Sequence, residues 1–431
     1  MIVAAALMAV TASLCTAYFE SSDGSGAEAD GSDSGSCGEG VIYTFDPATG
    51  TLTLSGTGEM KSYSSVIHAP WYSYRNDVQT LSLGSGITSI GNYAFYDFDS
   101  IVSVTIPDSV TVIGEFAFSD CASLTSVDIG SGVKTIGDSA FSDCTALASL
   151  VIPDNVETIE RGAFYDCISL LSVTVGRGIT SIGDYAFLMD SCLFEVINLN
   201  ENITVTAGSP EISIKVTDSD GTASVSTSKA CLGAYAKIVK TETGESSVKT
   251  TDDGFIYGIS EETATGSDGA ETTVEVCTLI RYTGTATDLT IPDTLGGLSV
   301  TRIGDGAFLE CDSLVSVVIP DSVTSIGTRA FSGCFSLKSI IIPNGVTCIE
   351  YGTFSHCLSL VSVVIPDSVT SIGDGTFSEC ESLASVTLPN SIDYIGEEAF
   401  SYCSSLVSIV IPDSVTAIRE ASFSTAARSH P

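Results

Sequence analysis

Apolar residues along most of this chain recur in a fixed phrase, not in a helical rhythm or a plain alternating one. In "LVSVVIP", residues 360–366, the apolar sites are Leu360, Val363 and Ile365. The last two alternate, as a strand with one buried face requires. Pro366 has no N–H to extend a ladder and ends the strand, and the Pro-Asp-Ser that it begins makes a turn. "VTSIG", residues 369–373, predicts a second short extended piece with Val369 and Ile372 inward and Gly373 opening the next bend. "TFSEC", residues 376–380, predicts a compact 3-10 or helical turn that drives Phe377 into the core.

The phrase repeats. Phenylalanine stands at Phe95, Phe118, Phe141, Phe164 and Phe187, then at Phe308, Phe331, Phe354, Phe377, Phe400 and Phe423, in steps of 23 residues within each run. Three residues after most of them comes a cysteine: Cys121, Cys144, Cys167, Cys311, Cys334, Cys357, Cys380 and Cys403. A fixed period of this length is the signature of a solenoid, because one coil cannot bury its own apolar face and stacked coils can. The predicted fold is a β-rich solenoid of short parallel strands about 4.8 Å apart, with 3-10 or helical turns at its corners and the phenylalanines stacked inside.

The period divides the chain. Residues 1–17 are an apolar run of signal-peptide length, read as a signal peptide or a retained anchor, although no Lys or Arg precedes Lys61. Cys15 is a poor lipidation site, since the bulky Leu14 precedes it. Residues 18–36 are Ser, Gly and Asp with almost nothing to bury, which predicts a flexible acidic linker. Residues 37–77 form an N-terminal cap segment and 78–199 the first array. Residues 200–253 have no period and predict a small β-rich insert, with "EISIKV" and "AYAKIVKT" as strands and "DSDG" as a hairpin turn. Residues 254–431 are the second array with its own opening. Three departures stand out. Phe98 replaces the cysteine of its coil, the phrase fails after Phe187 with Cys192 five residues on, and the last coil stops short and should fray.

"IPDSVTSIGDGTFSECESL", residues 365–383, resembles the BspA-like leucine-rich repeat, a 23-residue class of secreted and cell-surface proteins. "CGEGVIYTFDPATGTLTLSGTGEM" with "APWYSYR" is similar to the cap that opens such arrays, and "LIRYTGTATDLTIPDTLGGLSVTRIGDGAF" to a second opening. The resemblance implies a surface protein whose partners vary, with adhesion to host or matrix proteins among its roles.

Charge narrows the partners. The formal net charge is −37, which repels phosphate backbones and excludes nucleic acid as a partner. Membrane contact is expected only through the N-terminal segment if that is uncleaved. No cofactor or metal is expected. The repeat thiols read as packing rungs, since cysteine behaves as a small buried hydrophobe and no C-x-x-C pair exists; disulfides or a soft-metal ladder are the alternatives. Cys37, Cys231, Cys277 and Cys348 cannot be paired by sequence. His68, His356 and His430 lie in unrelated settings, and no H-E-x-x-H, G-x-S-x-G or phosphate loop occurs. The chain is not expected to be an enzyme. Trp71 reads as packing in the cap.

The strand leaves one outward site between its two buried residues. Thr105, Asp128, Val151 and Thr174 fill it in the first array, and Val318, Ile341, Val364, Thr387 and Val410 in the second. The second set, if it faces solvent, makes an apolar stripe, the mark of an interaction surface; the alternative is that β-branched residues simply favour strands and tolerate exposure. A neighbouring serine row, Ser103 to Ser408, is expected to bond backbone at the bend. The expected function is an extracellular or cell-surface binding protein, adhesin-like, that engages protein or glycan on another cell or matrix surface. The alternative is a passive spacer or envelope component that self-associates.

Overall fold

The computed structural model describes residues 33–65, 67–217, 223–242, 247–265 and 271–424. The signal-like segment, the tail and the "DSDG" turn lie outside these residues. The linker reading is corrected at its end. A strand begins at Asp33, because the Asp33 carboxylate accepts bonds from the Tyr43 and Tyr74 hydroxyls at 3.2 and 2.9 Å. Asp33–Gly38 pairs antiparallel with Val41–Asp46, and that strand with Thr51–Gly56, to make the cap sheet.

The coils stack as the period demands. In the first array Ser103–Ile106 pairs parallel with Ser126–Ile129, and Ser149–Val151 with Ser172–Val175, each serine opposite a serine. Glu195–Asn198 extends this sheet, and Ile238–Lys240, from the stretch read as a spacer, adds a further parallel strand. In the second array Asp288–Thr290, Ser316–Val318, Ser339–Ile341, Ser362–Val364 and Ser385–Thr387 form one parallel sheet. A second face carries two-residue strands such as Thr135–Ile136 and Thr158–Ile159, with isoleucine facing isoleucine.

The corner that carries phenylalanine is not helical. Among the described residues, the 3-10 helix Tyr72–Tyr74 in the cap is the one helical element. At the corner, left-handed residues flank the phenylalanine on both sides, as Gly375 (φ 59°) and Glu379 (φ 60°) flank Phe377. Every second N–H faces one side. Gly375, Phe377 and Glu379 donate to the carbonyls of Glu397, Ala399 and Ser401 in the next coil at 2.7–2.8 Å, while the carbonyls of Asp374, Thr376 and Ser378 accept from Gly352, Phe354 and His356 in the previous one. A helical turn would keep these bonds inside one coil and leave nothing to join neighbours.

This ribbon presents carbonyls at one end and N–H groups at the other, and buried backbone groups need partners. At the start of the first array the Tyr63 N–H and the Trp71 indole donate to Asn92 and Ala94 carbonyls at 2.9 and 2.7 Å. At its far end the insert supplies acceptors: the Tyr185 and Phe187 N–H groups donate to the carbonyls of Lys229 and Ala230. The insert is therefore an end cap as well as a connector.

Inside, the repeat phenylalanines stack with ring centroids 4.8–5.6 Å apart, each run begun by an aromatic of its opening segment, Trp71 or Tyr282. All but Phe423 are fully buried. Burying such a ring is worth about 1.5–3 kcal/mol, and each ring pair adds about 0.5–1.5. The arrays meet where Cys192, Phe194, Ile256 and Ile280 pack together. Gly258 is required there, since a Cβ would lie 2.3 Å from the Phe194 ring.

Candidate interaction surface

Each main strand buries its middle residue and points its two ends outward, so the sheet of the second array shows a serine column and an apolar column. Ile341, Val364 and Thr387 stand opposite one another in register, with Ser339, Ser362 and Ser385 alongside. Val318, Ile341 and Val364 are 57%, 73% and 64% exposed, values at which a core role is excluded. Thr387 is exposed too. Val410 is exposed but belongs to no strand, so the ladder ends at Thr387. In the first array Thr105, Asp128 and Val151 are exposed and Thr174 is half-buried.

The serine column differs from expectation. Most of its members face outward on the strand. The serines that bond backbone are those of the Pro-Asp-Ser turns and their variants: Ser109, Ser322, Ser368 and Ser391 each donate to a carbonyl of the preceding coil at 2.6–2.7 Å. The turn places that hydroxyl beside the earlier coil, whereas the strand alternation turns the other away.

The repeat thiols are buried except for Cys311, which is half-buried like Cys348 outside the column, and the described cysteines are free. They do more than fill space. Apart from Cys311, which donates to the Tyr282 carbonyl at 3.9 Å, each repeat Sγ donates to the carbonyl of the phenylalanine 26 residues earlier, as Cys380 does to Phe354 at 3.1 Å and Cys144 to Phe118 at 3.2 Å. Each of these also accepts from a backbone N–H, that of Cys357 for Cys380. Burial pushes these thiols well above the ordinary range, and Cys403 to about 12, so they are chemically quiet.

Asp190 shows what the rung needs. It stands three residues after Phe187, where the phrase wants cysteine, and it accepts the Cys167 N–H at 2.8 Å as a sulfur would. It is fully buried, its second oxygen has no partner, and burial raises its carboxyl far above the usual range. The sequence signal was the register itself, hidden by the nearby Cys192. Phe98, at the other end of the column, fills its rung by size alone and is fully buried.

Among the described residues no catalytic set assembles. A cleft of about 550 Å³ between the arrays is lined by Leu171, Ile256, Arg281, Glu310 and Cys311 among others, but by no histidine. Burial pushes the Cys311 thiol up to about 11. Among the described residues no group of three His, Cys, Asp or Glu could hold a metal ion, and no helix is long and apolar enough to cross a membrane. His356 pairs with Glu379 at 3.3 Å on the surface.

The coils match the family model of the BspA type leucine rich repeat region over residues 66–204 and 301–428. Solved structures of similar proteins include a leucine-rich repeat protein from Eubacterium ventriosum, 23% identical over 93% of this chain and 96% of that one, with a TM-score of 0.42. A leucine rich cell surface protein from Faecalibacterium prausnitzii is 25% identical over 90% and 95%, with a TM-score of 0.40. The pneumococcal vaccine antigen PcpA is 18% identical over 88% and 91%, with a TM-score of 0.37. These superpositions are loose, and membership rests on the repeat. No curated protein matches the chain. A stack of 23-residue coils built on these rungs, matched over more than half of the 431 residues, makes the chain a member of the BspA-type leucine-rich repeat family.

Proposed function

We propose that the chain is an extracellular or cell-surface binding protein, adhesin-like, that docks a partner protein on the outer sheet face of its second array. Leucine-rich repeat solenoids serve as scaffolds for binding, through the long surfaces that stacked repeats create. The observation that carries the reading is the in-register column Val318, Ile341 and Val364, more than half exposed in a molecule of net charge −37. An uncharged apolar stripe on an otherwise charged exterior is what a protein partner covers. The signal-like residues 1–17 support an outside location.

The test is a Val318→Asp, Ile341→Asp, Val364→Asp triple variant of the full chain. Surface substitutions of this kind change stability by only about 0.5 kcal/mol each, so the melting temperature should hold. Binding to intact epithelial cells and to immobilised collagen and laminin should fall by about tenfold or more. Equal binding by variant and wild type overturns the reading. Sedimentation across concentration addresses the spacer alternative: a wild-type chain that assembles through this stripe, while binding none of these surfaces, is a self-associating envelope component.

A further inference from the structure

Rings gather on the outside of the cap and the first coils. His68 stacks on Tyr72 with centroids 4.0 Å apart and planes at 9°. Tyr93 stacks on Phe116 at 4.8 Å, and Tyr96 stands 5.9 Å from Tyr93. The Tyr72 hydroxyl donates to Asp97, the residue after Tyr96, at 3.2 Å, so the cap rings adjoin those of the first coils. None belongs to the buried stack of Phe95 and Phe118; His68 is exposed and the others are half-buried.

Two of these rings are held at a cost. Tyr93 and Phe116 occupy the corner site two residues before the core phenylalanine, with φ of 53° and 50°. Left-handed backbone is costly for a bulky residue, and such strain collects at functional sites. The fold does not ask for rings there. Gly162, Gly306, Gly352 and Gly375 hold the same site in other coils, and Ser139, Arg329, Glu398 and Ala421 hold it too. The remaining aromatic of this column, Tyr185, lies under the Arg161 guanidinium.

The rim is polar. Glu115 and Asp138 lie near the Tyr93 hydroxyl, and Asp120 accepts from Tyr96. Asn92 accepts the Glu115 N–H through its side-chain oxygen at 3.1 Å. Asp97 holds Arg75 at 2.7 Å. Flat ring faces carry negative charge density and attract the C–H face of a pyranose, and carboxylates and amides bond its hydroxyls. The same carboxylates repel acidic sugars.

We propose that His68, Tyr72, Tyr93, Tyr96 and Phe116 form a glycan-binding platform for neutral or amino sugars. It shares no residue with the sheet-face column, so each site stands or falls alone. The probes are cellotetraose, N-acetylchitotetraose and chitosan tetramer, with a hyaluronan tetrasaccharide as the acidic control. Binding to the full chain is read by saturation-transfer NMR and titration calorimetry. A Tyr93→Gly, Phe116→Gly double variant should weaken binding by about tenfold or more and leave the melting temperature unchanged or raised, since glycine relieves the strain. The proposal is overturned if none of the three neutral or amino probes binds, or if hyaluronan binds as well as they do. It is equally overturned if the double variant binds like wild type or melts lower. A proline-rich peptide bound through these rings in place of the sugars would overturn the glycan assignment.

Discussion

The two arrays share one interior and differ outside. Phenylalanine, cysteine and the branched aliphatics hold the same inward sites in both, because each coil must fill a space set by its neighbours. The outward sites diverge. The sheet column reads Thr105, Asp128, Val151, Thr174 in the first array and Val318, Ile341, Val364, Thr387 in the second. The corner column two residues after phenylalanine reads Asp97, Asp120, Asp143, Asp166 in the first and Glu310, Gly333, His356, Glu379, Tyr402 in the second. All nine corner sites have left-handed φ. Aspartate tolerates that conformation better than most residues, glycine best. So the backbone dictates a class of residue, and the surface role of each array chooses within it.

The largest effect should be common to both arrays. Phe141→Ala and Phe354→Ala should each cost about 3–5 kcal/mol, the usual result of emptying a buried aromatic site. Urea unfolding of the full chain measures this, and a difference of more than about 2 kcal/mol between them would break the claim of a shared interior. Next come the thiols. Cys144→Val removes the thiol that serves the Phe118 carbonyl and the Cys121 N–H, at about 1–3 kcal/mol for each group, whereas Cys380→Val should cost less, because the Cys357 N–H still donates to the Phe354 carbonyl at 3.3 Å. Cys144→Ser and Cys380→Ser keep a donor and an acceptor and should cost less. Serine variants as damaging as valine variants would return the thiols to mere packing.

The smallest effect separates the arrays. Burial pushes the Asp143 carboxyl up to about 7, with help from Asp120 and Asp166 beside it, and both of those are raised by burial as well. Carboxyls of an unfolded chain titrate near about 4. The protonated form therefore suits the fold, and its stabilisation is complete below about pH 4 and lost as pH rises through about 7. Carboxylates that hydrogen bonds hold low, such as Asp108 and Asp154, titrate below this window and do not cancel it. The first array should melt at a higher temperature at pH 5 than at pH 8, and Asp143→Asn should reduce the gap. An unchanged gap in the asparagine variant would show that this column does not set the pH dependence.

Much of this molecule is legible in its sequence because a repeat reports the same environment many times over. Phe377 alone says little, but with its copies at 23-residue steps it marks an interior column, and Val364 an exterior one. What stayed hidden had no periodic signal or a misleading one. The left-handed corners carry glycine in only some coils, so Tyr93 and Phe116 gave no hint of their backbone. The thiol bonds depend on carbonyl directions that composition does not record. Asp33 looked like linker because its tyrosine partners stand 10 and 41 residues away. Asp190 was masked by a cysteine two residues off.

The one-sided corner ribbon has a consequence for how such a protein changes length. Every coil ends in a row of donors and begins with a row of acceptors, so any coil fits after any other, as one link of a chain fits the next. Loss or gain of a whole 23-residue unit leaves both end seals, Trp71 and the Lys229–Ala230 segment, facing the groups they already satisfy. A change of any other length puts donor against donor or rotates the phenylalanine out of its column. Array length is therefore a quantised trait, free to vary in whole coils while the interior and both seals stay as they are.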